Sequence, residues 1–429
     1  MAHQKIVLVG AGSLQFGLGT VGSILHSEIL KGTTICLHDI NAESLELVRQ
    51  ASQAAVDEQQ LDFQIVATTN RTEALQGASF VINSIEVPLR FELWDQDYEI
   101  PRKCGNKQIY GENGGPGGLF HALRIIPPIL DICADLLKIS PGALFINFSN
   151  PMSRICLAIK RKFPQLKFLG LCHELGHFLQ YVGKILQVPV SDIEVKGAGL
   201  NHFGVFLEVR QKETGKDLYP ALRERGPAYL RMMQEASLIT YIFEKYGYLP
   251  YTTDSHFGEY IGWAWEKADH QGIQNFKDGY RADTLANGDR LRRLITKGKG
   301  ARAVKPDDER VIPILEGLLT NSGRSELSVN VPNDGVISNL PQDLVVECPA
   351  IINKTGVHPV QIGEYPAGIA ALLRAQASVQ DLLVKAILQQ SRALALQALL
   401  VDPVISSTTE AEKILEEMLV LQAKYIHLP

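Results

Sequence analysis

The chain has 429 residues, of which 45% are hydrophobic and 21% charged, with a formal net charge of −5. That length suits two domains with a sizeable core, and the composition excludes disordered, collagenous and disulfide-stapled classes. The negative balance gives no pull toward nucleic acid or anionic lipid, and no apolar run is long enough to cross a bilayer.

The N-terminal Met1-Ala2-His3-Gln4-Lys5 runs straight into a strand pattern with no signal peptide. Cys36, Cys104, Cys133, Cys156, Cys172 and Cys348 show neither disulfide-like nor CxxC spacing. Free thiols in a cytoplasmic protein are therefore expected. The basic cluster in Arg290–Lys305 reads as a solvated face.

Lys5–Val9 is a short apolar run that stops at Gly10, and an amphipathic stretch follows to about Leu30. Thr33–Leu37 is a second buried-strand pattern, ending at Asp39. The rhythm repeats with strands at Ser79–Ile85, Ala143–Phe148 and Phe168–Leu171. Helices alternate with them at Leu119–Leu137, Met152–Lys162 and Leu175–Leu186. Such alternation predicts an α/β fold, a Rossmann-like doubly wound parallel sheet with helices on both faces. Ligands of such sheets bind at the carboxyl ends of the strands. After about Val195 the pattern changes. Strand pieces surround Asn201-His202, helices are expected over 227–246 and 284–298, and strand and turn over 326–357. Long helices are expected over 367–400 and 408–424. The reading is a dinucleotide-binding domain over 1–195 and a C-terminal mixed α+β domain over 196–429.

Gly10-Ala11-Gly12-Ser13 joins the first strand to the first helix. Gly10 permits the tight turn, Gly12 lets the backbone approach a pyrophosphate, and the helix N-terminus offers unpaired N–H groups. A third glycine is absent, since position 15 is Gln15. Asp39 at the end of the next strand can accept both ribose hydroxyls and would repel a 2′-phosphate, which favours NAD over NADP.

His173-Glu174-Leu175-Gly176-His177 matches the HExxH pattern of zinc proteases. Three features oppose that reading. The motif opens a helix directly after a strand, its extended continuation is replaced by Gln180 and Gly183, and a dinucleotide-binding half precedes it. Cys172 lies at the sheet face where cofactors bind, and a thiolate there with His202 would suit a borderline-soft divalent metal. Alone, such a pair is more often a buried thiol and a packed histidine.

Nearly end to end, the chain resembles glycoside hydrolase family 4, the NAD- and manganese-dependent glycosidases. The resemblance is carried by Gly10–Ser13, Gly115-Pro116-Gly117-Gly118, Ala122-Leu123-Arg124 with Ile126-Pro127, and Asn150-Pro151-Met152. It continues through Cys172-His173, Gly199-Leu200-Asn201-His202, Ser255–Tyr260, Val329–Asn333 and Glu347-Cys348-Pro349-Ala350. It implies a homodimer or homotetramer acting on a small carbohydrate, with NAD and Mn2+ or another divalent metal as cofactors. It also implies glycoside cleavage by elimination rather than by two carboxylates. In that chemistry C3 of the sugar is transiently oxidised, a base removes the acidified C2 proton, and the C1 oxygen leaves. Water then adds and the hydride returns.

By the same resemblance Cys172 and His202 are the metal ligands, with Asn150, Glu174 and Asn201 as substrate contacts. Gly10, Gly12, Ser13, Asp39 and Asn83 hold the dinucleotide. Asp254, Tyr251 and Tyr260 all qualify as the C2 base, with Asp254 preferred to Tyr260, and His173 as the acid. Cys172-His173-Glu174-Leu175 lacks the pattern of members acting on phosphorylated sugars. It most resembles the α-galacturonidase members, while Ser255–Tyr260 resembles the α-galactosidases. An α-galacturonide is therefore the expected substrate, with galactoside, glucoside and glucuronide as alternatives. Arg90, Arg154 and Arg281 are candidates to meet its carboxylate. A plain sugar dehydrogenase, a non-catalytic NAD-binding protein and a zinc protease are the more distant alternatives.

Overall fold

The computed structural model describes residues 3–429. Its strands are β1 (Lys5–Val9), β2 (Thr34–His38), β3 (Gln64–Thr68), β4 (Phe80–Asn83), β5 (Leu144–Asn147) and β6 (Phe168–Gly170). They continue with β7 (Ile193–Leu200), β8 (Phe203–Gln211), β9 (Arg324–Pro332), β10 (Val345–Asn353) and β11 (Gly356–Pro359). All join one sheet in the order β3-β2-β1-β4-β5-β6-β9-β10-β7-β8, with β11 on β10. From β3 to β6 every pairing is parallel. Beyond β6 the pairings are antiparallel, starting with Gly170 opposite Asn330.

β2 and β4 are buried along their whole length, and β1 apart from its first residue. A parallel sheet covered by helices on both faces requires this, which is why these strands read as unbroken apolar runs. The helix Leu14–Leu25 places Leu18, Val21, Ile24 and Leu25 against the sheet at helical spacing. Each such side chain contributes roughly 2 kcal/mol by leaving water. Strand order reverses between β1 and β4, so the crevice at their carboxyl ends is the topological switch point where such sheets take ligands.

The second half forms no separate sheet. Its strands extend the first one, and the helices Ala367–Gln389 and Thr408–Leu421 pack back onto Met152–Lys162 and Arg90–Lys103. Helix ends and breaks differ from the sequence reading. The stretch expected as one helix over 227–246 is two, Tyr219–Leu230 and Ser237–Tyr246, with Glu235 between them in the left-handed region. Likewise 367–400 breaks at Gln390, which is left-handed, after which Ser391 caps Arg392–Val401 through the Leu394 N–H. Between Asp39 and Ser79, where the patterning assigns no element, lie the helix Ala42–Gln59, β3 and the short helix Arg71–Leu75.

Candidate active site

The dinucleotide motif folds as its chemistry demands. Gly10 turns the chain with φ +88°, and a Cβ there would strike the backbone of Ser84 at 2.9 Å. At Gly12 a Cβ would strike the Asp39 carboxylate at 2.7 Å, so only glycine lets the two meet. Asp39 accepts from the Gly12 N–H at 2.8 Å and from the Asn41 N–H at 2.8 Å. Ser13 caps the helix through Phe16 N–H at 3.4 Å. Asn83 ends β4 at the crevice, donating to Asn147 at 2.9 Å and to Ser149 at 3.2 Å, while its buried amide oxygen has no protein partner. This cradle fits a dinucleotide: close backbone, a helix N-terminus, an acceptor carboxylate and an unused polar atom.

Cys172 follows β6 by two residues, and His173 then opens the helix Glu174–Leu186. Asn201-His202 is the two-residue turn between β7 and β8, with His202 held at φ +59°. That left-handed backbone at a non-glycine residue costs of order 1 kcal/mol and aims the imidazole back at β6. The Cys172 Sγ lies 3.3 Å from His202 Nε2, which is 3.6 Å from Glu174 Oε2. Among the described residues these three are the one group of metal-ligating side chains whose donor atoms converge, within 4.8 Å of one another. Glu174 Oε2 and His202 Nδ1 are buried without hydrogen-bond partners. Burial holds the His202 imidazole well below its ordinary pKa, leaving it neutral with a lone pair to give. Burial, reinforced by Glu174 and Glu347, pushes the Cys172 thiol well above its ordinary value. The sulfur therefore ionises only when a cation compensates, and the thiolate–imidazole–carboxylate set fits a divalent transition metal.

Further polar groups close around this centre. The other Glu174 oxygen accepts from the Thr252 hydroxyl. His256 stands 4.7 Å from the His202 ring, with Nδ1 3.8 Å from Glu174 and Nε2 3.9 Å from Glu112. Burial lowers the His256 pKa, but Glu174, Glu112 and Glu259 together raise it. Glu347 accepts from Tyr251 at 2.9 Å and from Asn330 at 3.3 Å, with the Asn201 amide at 3.5 Å.

Two family models span most of this architecture. Residues 5–188 match the family 4 glycosyl hydrolase model, and residues 197–405 match the family 4 glycosyl hydrolase C-terminal domain. An α-glucosidase of Erwinia rhapontici is 42% identical, over 99% of each chain. The chain belongs to glycosyl hydrolase family 4. It is a glycoside hydrolase. An α-galacturonidase of Thermoanaerobacterium saccharolyticum is 28% identical over 98% of this chain and 96% of that one. Among solved structures, a 6-phospho-α-glucosidase from gut microorganisms in complex with NAD and Mn2+ superposes with a TM-score of 0.85. It is 22% identical and covers 99% of each chain.

For a family 4 enzyme the remaining site residues divide unevenly. Asp254, preferred from sequence as the base, is fully buried, and its oxygens accept backbone N–H groups of Leu238 (3.0 Å), Ile239 (3.0 Å) and Asp269 (2.9 Å). It ties the start of the helix Ser237–Tyr246 to a neighbouring loop, so both oxygens are committed to the backbone, while burial raises the carboxyl pKa against these hydrogen bonds. Tyr260 reaches the Asn201-His202 turn, its hydroxyl donating to the Asn201 carbonyl at 3.4 Å and its ring 4.8 Å from Phe203. Tyr251, the third candidate, is occupied by Glu347. His173 has a side chain 46% exposed, with Nδ1 3.0 Å from Glu309 and its ring 4.4 Å from His177. His177 is not among the converging donors, so the HExxH pair builds no zinc site. Asn150 turns its side-chain oxygen to the Met152 N–H at 3.3 Å, and the Asn201 N–H donates to Ser153 at 3.2 Å. The Gly115–Gly118 run, one of the resemblance segments, is buried in packing. Cβ atoms at Gly117 and Gly118 would strike the backbones of Gly111 and Asn113.

Sequence reasoning missed Glu112, His256, Glu259 and Glu347 as site residues. Two of the resemblance segments, Ser255–Tyr260 and Glu347–Ala350, already held three of them, and Glu112 lies just ahead of the Gly115–Gly118 run. Burial pushes both Glu259 and Glu347 up to about 7, from 4.5. A carboxyl group raised on folding stabilises the native state below its unfolded pKa and loses that contribution as pH rises through the folded one. Between pH 5 and 8 the metal-free protein should therefore lose about 2 kcal/mol of stability per such group. Thermal unfolding of wild type and Glu347→Gln at both pH values checks this. The variant should show the shallower decline, and parallel profiles would remove Glu347 from the account.

Proposed function

We propose that this family 4 enzyme is an NAD- and divalent-metal-dependent α-glycosidase whose substrate is a neutral, non-phosphorylated α-glucoside. The convergence of Cys172, Glu174 and His202 at the carboxyl edge of the sheet, beyond the Gly10–Asp39 cradle, carries this reading. When bound, NAD supplies hydride acceptance and Mn2+ supplies Lewis acidity.

The chain's own groups perform the remaining work. Cys172, His202 and Glu174 hold the metal. Asn150 and Asn201 orient sugar hydroxyls. Tyr260 accepts the C2 proton as the phenolate, the form that the positive charges of the metal and Arg154 would favour, and His173 holds a proton for the departing glycosidic oxygen. The division of labour follows the chain, with residues 1–195 serving the dinucleotide and 196–429 supplying His202, Tyr260 and the walls of the sugar site. The free thiol at the metal suits the reducing cytoplasm.

Charge argues for a neutral sugar. A uronate needs a cation, and two of the three arginines considered for it are engaged. Arg90 donates to Tyr280 at 2.7 Å and to Glu112 at 3.2 Å. Arg281 pairs with Asp95 at 2.6 Å; Arg154 is 1% exposed, and its guanidinium has no hydrogen-bond partner. The charged groups around His256 are Glu112, Glu174, Glu235 and Glu259, which would repel a carboxylate. The similarity to the Erwinia rhapontici α-glucosidase supports the same choice. The Cys172–Leu175 tetrapeptide favours a galacturonide as the second reading. Screening p-nitrophenyl α-glucoside, α-galactoside and α-galacturonide with NAD, Mn2+ and a reductant separates the two. We expect the glucoside to be cleaved at least about tenfold faster than the uronide, since one like charge in a partly buried site costs upward of 1.4 kcal/mol. Faster cleavage of the uronide would overturn the neutral reading, and net NADH accumulation would point to a dehydrogenase.

A further inference from the structure

Most large aromatic side chains of this chain are buried, and the exposed one that touches the site is Phe276, 39% exposed on the helix His270–Thr296. It is the outer member of a row of rings that begins at the metal centre. The His202 ring lies 4.7 Å from His256, His256 lies 6.0 Å from Phe276, and Phe276 stacks on Tyr280 at 6.2 Å with 26° between planes. The row has a rigid backing. Tyr110 touches both His256 (5.0 Å) and Phe276 (6.1 Å), and Trp94 packs edge-on against Tyr110 at 4.9 Å. The neighbouring cations are already taken: Arg90 by Tyr280 and Glu112, Lys277 by Asp95 at 3.3 Å, and Arg281 by Asp95. Arg90 also lies over the Tyr280 ring at 5.2 Å, so the apolar face without an unpaired positive charge is that of Phe276. The row's inner end touches a metal ligand and its outer end touches solvent.

We propose that Phe276, with Tyr280 beside it, is the stacking platform for the leaving-group half of the substrate, and that this half is a neutral pyranose. The inference rests on the glycosidase reading of the metal centre and adds the second sugar to it. A glycoside whose reacting ring sits at Cys172 and His202 must extend its other half outward, and the ring row is the wall that continues from that centre to the surface. The C–H face of a pyranose is apolar and flat, and an aromatic ring held by others behind it receives that face at little entropic cost. A charged leaving group would find no free cation here.

The test compares Phe276→Ala, Phe276→Trp and wild type, loaded with NAD and Mn2+, on disaccharides and on methyl glycosides that lack the second ring. Maltose is paired with methyl α-glucoside, and melibiose with methyl α-galactoside. For Phe276→Ala, kcat/KM on the preferred disaccharide should fall roughly five- to tenfold through KM, with the methyl glycoside changed by less than about twofold. Phe276→Trp should restore the disaccharide. An equal loss on both substrates, or no loss on the disaccharide, overturns the platform. So does an altered sedimentation coefficient with unchanged substrate preference, which would assign the ring to a contact between copies of the chain. Calorimetric titration of each disaccharide separates this proposal from the hydrolase reading. Weaker disaccharide binding by Phe276→Ala, without turnover in any variant, would sink only the reading of the reaction. Equal binding with turnover intact would sink only the platform, and no disaccharide binding by wild type would sink both.

Discussion

Cys172→Ser will lower glycosidase turnover by at least about a thousandfold and will abolish tight Mn2+ binding, while leaving NAD binding within about twofold of wild type. The reasoning starts from donor chemistry. The Cys172 sulfur sits 3.3 Å from His202 Nε2 and beside Glu174, the one converging donor group among the described residues. A serine hydroxyl at that position stays protonated at neutral pH and cannot replace the soft anionic ligand. The dinucleotide cradle lies on Gly10, Gly12, Asp39 and Asn83, and the side chains of the last two hydrogen-bond to Gly12, Asn41, Asn147 and Ser149 rather than to Cys172, so its affinity should persist. Metal titration followed by equilibrium dialysis, beside NAD fluorescence quenching and steady-state kinetics, reads all three quantities. A variant that keeps metal and turnover would remove Cys172 from the centre. Because burial holds the wild-type thiol high, metal binding must release its proton, and Mn2+ affinity should rise with pH in the neutral range.

Tyr260→Phe and Asp254→Asn should produce opposite defects. Loss of the Tyr260 hydroxyl should cost roughly 10²- to 10⁴-fold in kcat with the fold intact, the usual range for a positioned proton-transfer group. Burial, reinforced by Glu259, pushes the phenol well above its ordinary value, and Arg154 opposes that rise. The bound metal and Arg154 are the positive charges available to help it act near neutral pH. Asp254→Asn should instead cost about 2–4 kcal/mol of stability, because an amide N–H2 would face a backbone N–H where the carboxylate now accepts three. Its activity per folded molecule should stay within about twofold. Exchange of the substrate C2 hydrogen with deuterated solvent isolates the base step. It should vanish in Tyr260→Phe and persist in Asp254→Asn, and the reverse result would restore Asp254 as base.

The contrast between these two residues shows where sequence reading stops. Both lie in one short segment, both are chemically able to take a proton, and spacing alone cannot say which side chain turns inward. Asp254 is drawn away by the unpaired N–H groups at the start of the helix Ser237–Tyr246, a demand that exists only once that helix is placed beside it. Glu112 and His256 approach within 3.9 Å although they are distant in the chain. No local pattern encodes such a meeting.

What the sequence by itself determined is the part governed by local rules. The apolar runs ending at Gly10 and Asp39, the helical spacing between them and the thiol after the β6 run dictated a parallel sheet with a dinucleotide cradle. They also dictated a candidate metal ligand at its carboxyl edge. Short-range sterics and the two-faced burial of a parallel sheet leave little choice there. The tertiary structure decided the rest. It joined the strands of the second half to the same sheet, brought Glu174 beside Cys172 and His202, and committed Asp254 to backbone N–H groups while Tyr260 reached Asn201. It also engaged Arg90 with Tyr280 and Glu112, and Arg281 with Asp95. The physical reason is common to all of these: they are set by burial and by which charged or polar groups meet across long sequence distances. Those quantities exist only after the chain has closed on itself.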